Sequence, residues 1–93
     1  MAAAGGSEVF SRAMAVELAP IRVNVVRPGI VDTPMLARMA GDRRDEVMAA
    51  QAKRIPLRRV AQPDEIAHAI GFLMTNEYVT GTTLTIDGGY SIA

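Results

Sequence analysis

The residues best suited to bind a ligand lie where a β-branched run ends. Valine and isoleucine dominate residues 21–26, the run stops at Pro28-Gly29, and a hydroxyl follows at Thr33. A buried strand that opens into a turn of this kind presents main-chain donors and acceptors, and α/β proteins bind ligands at such strand ends. The sequence therefore predicts a ligand-binding turn over residues 28–33.

The remaining polar residues indicate no second site. His68 is the single histidine and has no Cys, Asp or Glu at metal-ligand spacing, so we expect it at a surface or an interface. Asp64 and Glu65 stand at a predicted helix start, where carboxylates favour the positive end of the helix dipole. The chain contains no cysteine, which excludes disulfides, thiol catalysis and thiolate metal sites.

Composition narrows the class of protein further. The 93 residues allow one small domain, and ten basic residues balance ten acidic ones without a concentrated run of either sign. This balance favours neither nucleic acid nor an anionic membrane as a partner. No apolar run approaches the ~20 residues of a membrane span, and the first residues lack the pattern of a signal peptide. We therefore expect a soluble, cytoplasmic protein.

Periodicity and breakers predict five elements. Because a helical crossover would separate the two strands, we expect them to be parallel neighbours in a doubly wound α/β sheet. The predicted order is a helix over 6–18, a strand over 21–26, one or two short helices over 34–55, a helix over 63–74 and a strand over 82–86. The first helix has two apolar stripes that we expect to be covered, one with Phe10, Ala13, Met14 and Leu18 and one with Val9 and Val16. The predicted buried stripe of the helix over 63–74 consists of Ile66, Ile70, Leu73 and Met74, with Phe72 on a second face.

Three ordered segments carry a family resemblance. They are residues 11–33, which end in VNVVRPGIVDT, residues 55–67, IPLRRVAQPDEIA, and residues 80–89, TGTTLTIDGG, so they are distributed from residue 11 to residue 89 of the chain. They resemble, in order and spacing, the closing part of a short-chain dehydrogenase/reductase. The resemblance implies that residues 1–93 form a single partial domain, the C-terminal part of a Rossmann-like doubly wound parallel sheet.

The resemblance gives the predicted turn a ligand. In this family it lies against the nicotinamide end of NAD or NADP, so Pro28, Gly29, Val31 and Thr33 would be cofactor-binding residues. Val31 would supply a main-chain donor and acceptor to the carboxamide, Gly29 would allow close approach, and Thr33 would donate its hydroxyl. The alternative is structural: Pro28-Gly29 ends a strand and Thr33 caps the next helix.

The segment after the turn would cover the substrate. By resemblance, Met35, Leu36 and Met39 belong to a lid that closes over the alcohol or carbonyl substrate, and methionine adapts well to varied ligands. Ordinary packing of a short helix explains the same three residues equally well.

The family's catalytic residues are missing from the chain. Hydride transfer there needs a tyrosine and, four residues later, a lysine that lowers the pKa of the phenol. The aligned lysine position is Ala4, and the tyrosine would fall just before Met1. The family's serine and its glycine-rich loop would both lie further upstream. Tyr78 and Tyr90 have no lysine four residues after them. We therefore predict no catalytic residue here and no turnover by the chain alone.

Two functions remain open. The first is a C-terminal fragment of an NAD(P)-dependent oxidoreductase that acts on a small alcohol or carbonyl compound. The second is a non-catalytic dimerisation or interaction module, in which the 63–74 helix and the 82–86 strand form the contact with another chain. The same contact would make the complete relative a homo-oligomer.

Overall fold

The described fold alternates helices with two short strands. The computed structural model describes Ala2 to Ala93, with side chains described from Gly6 onward. The elements are helix α1 (Ala2–Glu17), strand β1 (Val25–Pro28), helix α2 (Pro34–Ala40), a 3-10 turn (Gly41–Arg43), helix α3 (Arg44–Arg54), helix α4 (Pro63–Thr75), strand β2 (Thr83–Ile86) and a 3-10 turn (Tyr90–Ile92). The order confirms the predicted sequence of elements.

The two strands pair in parallel, as the crossover predicted. Val25 pairs with Thr83 and Pro28 pairs with Ile86. The N–H groups of Val25 and Gly29 donate towards β2, so in this alternating pattern the nitrogen of Pro28 faces away from β2 and its missing N–H costs no bond between the strands. The helices α2, α3 and α4 form the connection between the strands, and this arrangement brings the carboxyl ends of both strands to one edge of the sheet.

The first strand begins later than predicted, at Val25 rather than Ile21. The reason lies in Asn24, whose Nδ2 donates to the carbonyl of Val79 at 3.0 Å and whose Oδ1 accepts from the N–H of Thr82 at 3.1 Å. These side-chain bonds replace the first rungs of the ladder. Asn24 thus satisfies neighbouring backbone groups that would otherwise lack a partner at this point of the sheet.

Helix α4 begins at Pro63, where the sequence placed its start. The N–H of Gln62 donates to Glu65 Oε1 at 3.0 Å, and Arg59 donates to both carboxylate oxygens of Glu65 at 2.6 and 2.7 Å. These contacts, with that of Arg59 the largest, lower the pKa of Glu65 to about 2. The carboxylate therefore fixes the loop before α4 to the first turn of the helix.

This depressed pKa predicts an acid-dependent loss of stability. The folded pKa of about 2 lies below the ordinary value of 4.5, so the contribution of Glu65 is complete above pH 4.5 and is lost as the pH falls towards 2. Urea unfolding followed by circular dichroism across this window should show a shallower pH dependence for Glu65→Gln than for the wild type. Glu77→Gln, at an exposed position after α4, should keep the wild-type slope. Equal slopes for Glu65→Gln and the wild type would contradict the assignment.

Helix α1 buries a different face from the two predicted. Ser11 and Ala15 are 3% and 8% exposed, whereas Phe10 is 65% exposed and Leu18 is also exposed. The helix also begins at Ala2 rather than at residue 6, and it ends at Glu17. Small residues occupy the buried face because α1 lies close to the segment before β2: a Cβ added at Gly81 would stand 3.5 Å from Ala15 Cβ.

Helix α4 likewise buries only part of its predicted stripe. Leu73 is buried together with Ala69, while Ile70 and Met74 are 42% and 71% exposed. A sheet of two strands is too narrow to cover all apolar positions of a helix, because each strand adds less than about 5 Å of width.

The accessible surface area shows how much of the helix faces the two-stranded sheet leaves exposed. It amounts to 6721 Å², whereas a compact monomer of 9.9 kDa exposes about 5200 Å². The radius of gyration is 15.5 Å, against about 12 Å for a compact domain of this length. The faces of α1 and α4 therefore lack the neighbours that a complete doubly wound domain supplies. Among the described residues, no helix is long and apolar enough to span a membrane.

Candidate nucleotide-binding turn

The carboxyl ends of β1 and β2 meet in very close contact at Gly29. Its N–H donates to the carbonyl of Ile86 at 2.9 Å, and a Cβ built on Gly29 would lie 2.7 Å from Asp87 Cβ and 2.9 Å from Asp87 Cα. Real Cβ atoms essentially never approach so closely. Glycine is therefore required here by the second strand, a reason that the sequence alone did not reveal.

Asp87 holds the chain immediately after β2. Its Oδ1 accepts from the N–H of Gly89 at 2.9 Å and its Oδ2 accepts from the N–H of Ser91 at 3.0 Å. Hydrogen bonds from Ser91 first, and from Gly89, hold the pKa of Asp87 below its ordinary value even though burial acts in the opposite direction. The carboxylate thus remains charged and organises the turn that faces Gly29.

Beyond Gly29 the chain forms a second parallel contact, with residues 60–61. The N–H of Ala61 donates to the carbonyl of Ile30 at 3.0 Å, and the N–H of Asp32 donates to the carbonyl of Ala61 at 2.8 Å. In a parallel bridge of this form, the residue between the two bonded positions directs its own N–H and C=O to the opposite edge. That residue is Val31, and neither its N–H nor its C=O bonds to another described residue. The turn therefore presents one free donor and one free acceptor side by side.

Thr33 is both a cap and a potential donor. Its Oγ1 accepts from the N–H of Leu36 at 3.3 Å, and its backbone is extended, with φ −124° and ψ 159°. This geometry confirms the capping role at the start of α2. A hydroxyl has one donor and two acceptor positions, so capping leaves the O–H of Thr33 available to a ligand. The two interpretations of Thr33 are compatible.

The predicted lid residues lie on α2, directly after this cap. Met35 and Met39 are 63% and 79% exposed, and Leu36 is half-buried. Methionines at such exposure contribute little to a core, because most of their apolar surface stays in water.

One ion pair joins the turn to the segment that follows α2. Arg44 Nη2 donates to both carboxylate oxygens of Asp32, at 2.6 and 2.5 Å. This hydrogen bond, ahead of the other contributions, raises the pKa of Arg44 above its ordinary value. Sequence reasoning missed both residues; the only signal was a charged residue inside an apolar turn.

The predicted binding residues lie along one continuous turn, but they do not line one cavity. An open cavity of ≈ 510 Å³ lies at the ends of both strands. Pro28 and Gly29 line it, whereas Val31, Thr33 and the lid residues do not. The turn bends at Ile30, which directs the later residues away from this cavity. The residues that line the cavity are Arg27, Pro28, Gly29, Ile30, Thr85, Asp87, Tyr90 and Ser91.

Comparison with known proteins identifies the family of the chain. The family model described as enoyl-(acyl carrier protein) reductase matches residues 1–91. The human 3-oxoacyl-[acyl-carrier-protein] reductase is 44% identical over 93 residues. The short-chain dehydrogenase/reductase malC of Malbranchea aurantiaca is 39% identical over 85 residues. The chain belongs to the short-chain dehydrogenase/reductase family.

Solved structures of this family confirm the α/β fold class. MalC reductase/Diels-Alderase from Malbranchea aurantiaca superposes with a TM-score of 0.88 at 37% identity, over 96% of this chain and 34% of that one. A small-chain dehydrogenase solved in complex with NADPH gives a TM-score of 0.85 at 35% identity, over 96% and 41% of the two chains. Coverage of the curated relatives is similar, at 36% of the human reductase and 32% of malC. The chain thus spans about a third of the length of these relatives.

Three further residues that could take part in chemistry are His68, Tyr78 and Tyr90. His68 is exposed on α4, and the part of the chain that the structure describes contains no cluster of three or more potential metal ligands. Neither Tyr78 nor Tyr90 lies four residues before a lysine, because the single lysine is Lys53.

Proposed function

We propose that this chain forms the nicotinamide-side wall of an NAD(P)-dependent oxidoreductase that interconverts a small alcohol and its carbonyl compound. In this proposal residues 1–93 are the C-terminal part of one domain. Bound NAD or NADP supplies the hydride chemistry, and the chain's own residues hold and orient the nicotinamide. The names of relatives agree with this substrate class, since they include a cyclopentanol dehydrogenase and an acetoacetyl-CoA reductase.

The observation that carries the proposal is the pair of free main-chain groups at Val31. A carboxamide offers one carbonyl acceptor and one NH₂ donor, so an N–H and a C=O on the same residue complement it. The hydroxyl of Thr33 is two residues away and retains its donor position. The turn is held in place by Ile86 on one side and Ala61 on the other, so these groups are fixed before any ligand binds.

The proton-transfer apparatus is not part of this proposal. Ala4 occupies the aligned position of the family's lysine, and an alanine methyl group can neither hold a ribose hydroxyl nor lower the pKa of a phenol. We therefore expect the purified chain to show no NAD(P)H-dependent reduction of ketones by itself. Measurable turnover by material of confirmed mass would contradict this.

A graft tests the proposed binding role. Residues 21–93 replace the matching segment of the acetoacetyl-CoA reductase of Allochromatium vinosum, which is 44% identical over 92 residues, so that the parent keeps its own tyrosine and lysine. The chimera should turn over. Val31→Pro removes the N–H donor and should raise the KM for NADPH about tenfold. A change of this size corresponds to the loss of about one to two kcal/mol, which is typical of one hydrogen bond to the ligand.

Val31→Ala is the matched control, because it shortens the side chain and leaves both main-chain groups in place. It should change the KM for NADPH by less than about twofold, since the proposed contact does not use the side chain. An inactive chimera, or equal values for Val31→Pro and Val31→Ala, would refute the proposed role of this turn.

A non-catalytic interaction module is the second candidate. It is favoured by the exposed apolar side chains on and after α4, of which Met74 is 71% and Tyr78 is 99% exposed. The contact would use α4 and β2, the same surface through which we expect the complete relative to form a homo-oligomer. Sedimentation equilibrium that shows a discrete dimer of the isolated chain would support the module, and a monomer or unlimited aggregation would argue against it.

A further inference from the structure

Residues 34–54, which we call the lid segment, are not held by a hydrophobic core. The segment comprises α2, the 3-10 turn and α3, and none of its residues is buried. Met35 and Met39 lie largely in water, and the segment's other large apolar side chains, Leu36, Val47 and Met48, are only half-buried. Since burial of apolar surface is the main force that fixes one element against another, polar contacts must carry more of the positioning here.

The contact nearest the turn is the ion pair of Arg44 with Asp32. The side chains are 37% and 20% exposed, so the pair is shielded from water more than the other ion pairs of the lid segment. Arg43 and Glu46, for comparison, are 77% and 75% exposed and connect neighbouring turns of the segment itself. A second tie lies at the far end, where Arg54 Nη2 donates to Tyr90 Oη at 2.9 Å.

Asp32 is the fixed half of the pair. Its N–H is bonded to the carbonyl of Ala61, and it stands between Val31 and Thr33. Arg44 is the first residue of α3 and therefore moves with the lid segment. The pair joins the residue beside the free N–H and C=O of Val31 to the helices that carry Met35, Leu36 and Met39.

We propose that Asp32 and Arg44 are positioning residues that latch the lid segment over the nucleotide-binding turn. Their significance for binding rests on the proposed function, but the latch itself is a property of the chain without ligand. An ion pair of this exposure is worth little enough to break and re-form, and salt screens it. It can therefore hold the lid near the turn and still release it when a ligand enters or leaves.

The geometry also predicts which replacement of Arg44 should retain the ion pair with Asp32. Both short contacts come from the single nitrogen Nη2, so the pair does not depend on the two-nitrogen fork of a guanidinium. One ammonium placed between two carboxylate oxygens provides the same arrangement. Arg44→Lys should therefore retain the latch, and Arg44→Gln should lose it.

Distances between spin labels test the proposal directly. Because the chain has no cysteine, Met39→Cys on α2 and His68→Cys on α4 give a single labelled pair, and both positions are exposed. In the parent chain we expect one dominant distance. Arg44→Gln should raise the population at other distances about two- to fivefold. This is the shift in the equilibrium expected when an exposed or half-buried ion pair is lost. High salt applied to the parent should produce the same change, because it screens the pair.

Three further variants separate the latch from a general structural role. Arg43→Gln removes the neighbouring exposed charge and should leave the distances unchanged. Arg44→Lys, and the exchange of Asp32→Arg with Arg44→Asp, should restore the dominant distance. A second labelled pair at His68 and Tyr78 should be unaffected by every variant.

Two results would overturn the latch. One is an unchanged distribution for Arg44→Gln; the other is broadening of the His68–Tyr78 pair as well, which would mean that the ion pair supports the whole fold. These measurements use no nucleotide, so they can fail while Val31 binds nicotinamide in the chimera, and they can succeed while it does not.

Discussion

Replacing Gly29 with alanine is expected to lower the free energy of unfolding by about 2–3 kcal/mol. The new Cβ would lie 2.7 Å from Asp87 Cβ and 2.9 Å from its Cα, so backbone, not a flexible side-chain end, must move. Forcing extra volume into a closely packed site typically costs about 1–3 kcal/mol. Movement of Asp87 would also strain its bonds to Gly89 and Ser91. Urea unfolding followed by circular dichroism measures the change.

Gly71→Ala is the matched control, because it adds the same methyl group where nothing crowds it. Gly71 lies inside α4, and no heavy atom stands within 4 Å of the position that the new methyl group would occupy, apart from the helix's own nearby backbone. Alanine has a better helix propensity than glycine, so this variant should gain about 0.5–1 kcal/mol. Opposite signs for the two substitutions are the expected result. A Gly29→Ala protein as stable as the wild type would show that the strand ends are not tightly apposed and that this glycine serves only the ligand.

The start of α4 and the parallel strands could be predicted because local signals agree with the tertiary structure. Pro63 followed by two carboxylates marks a helix start wherever it occurs, and Glu65 makes the predicted kind of contact. The late start of β1, by contrast, follows from the bonds of the Asn24 side chain to the backbone of Val79 and Thr82. The same residue shortened the predicted strand, since the sequence could not show which backbone groups it would bond.

The buried face of α1 could not be predicted from periodicity. The sequence predicted two covered apolar stripes, yet Phe10 in the first is 65% exposed and Val9 and Val16 in the second are 65% and 80% exposed. The buried face instead carries Ser11 and Ala15, because close approach selects for small residues. A stripe such as that of Phe10 needs a partner outside these residues, and the family relatives, about three times as long, contain further chain that could cover it.

The position of the candidate site was predictable, but its supporting contacts were not. The Pro28-Gly29 break located the turn, and Thr33 proved to be the cap that its spacing suggested. The pairing of Asp32 with Arg44 depends on how α2 and the 3-10 turn fold back, and twelve residues of separation give no local signal for it. The role of Gly29 against Asp87 likewise depends on a strand more than fifty residues away.

Arg22 is expected to contribute a second large share of stability, because it terminates α4 from a distance. Its Nη1 donates to the carbonyl of Leu73 at 2.6 Å, and its Nη2 donates to the carbonyl of Met74 at 2.9 Å. The last carbonyls of a helix have no partner within the helix. The carbonyl of Phe72 accepts from the N–H of Asn76, and the arginine supplies donors to the next two carbonyls of the last turn.

Arg22→Met keeps much of the apolar stem and removes the guanidinium, and it should lower the free energy of unfolding by about 2–3 kcal/mol. Hydrogen bonds to a charged group contribute about 1.5–3 kcal/mol each when partly buried, although some bonds would be replaced by water. Arg58→Met is the control, since Arg58 donates to the carbonyl of Lys53 at the end of α3 from an exposed position. It should cost less than about 1 kcal/mol. If Arg22→Met and Arg58→Met lowered the free energy of unfolding equally, the partly buried bonds of Arg22 would stabilise the end of α4 no more than an exposed bond does. The proposed role of Arg22 would then be wrong.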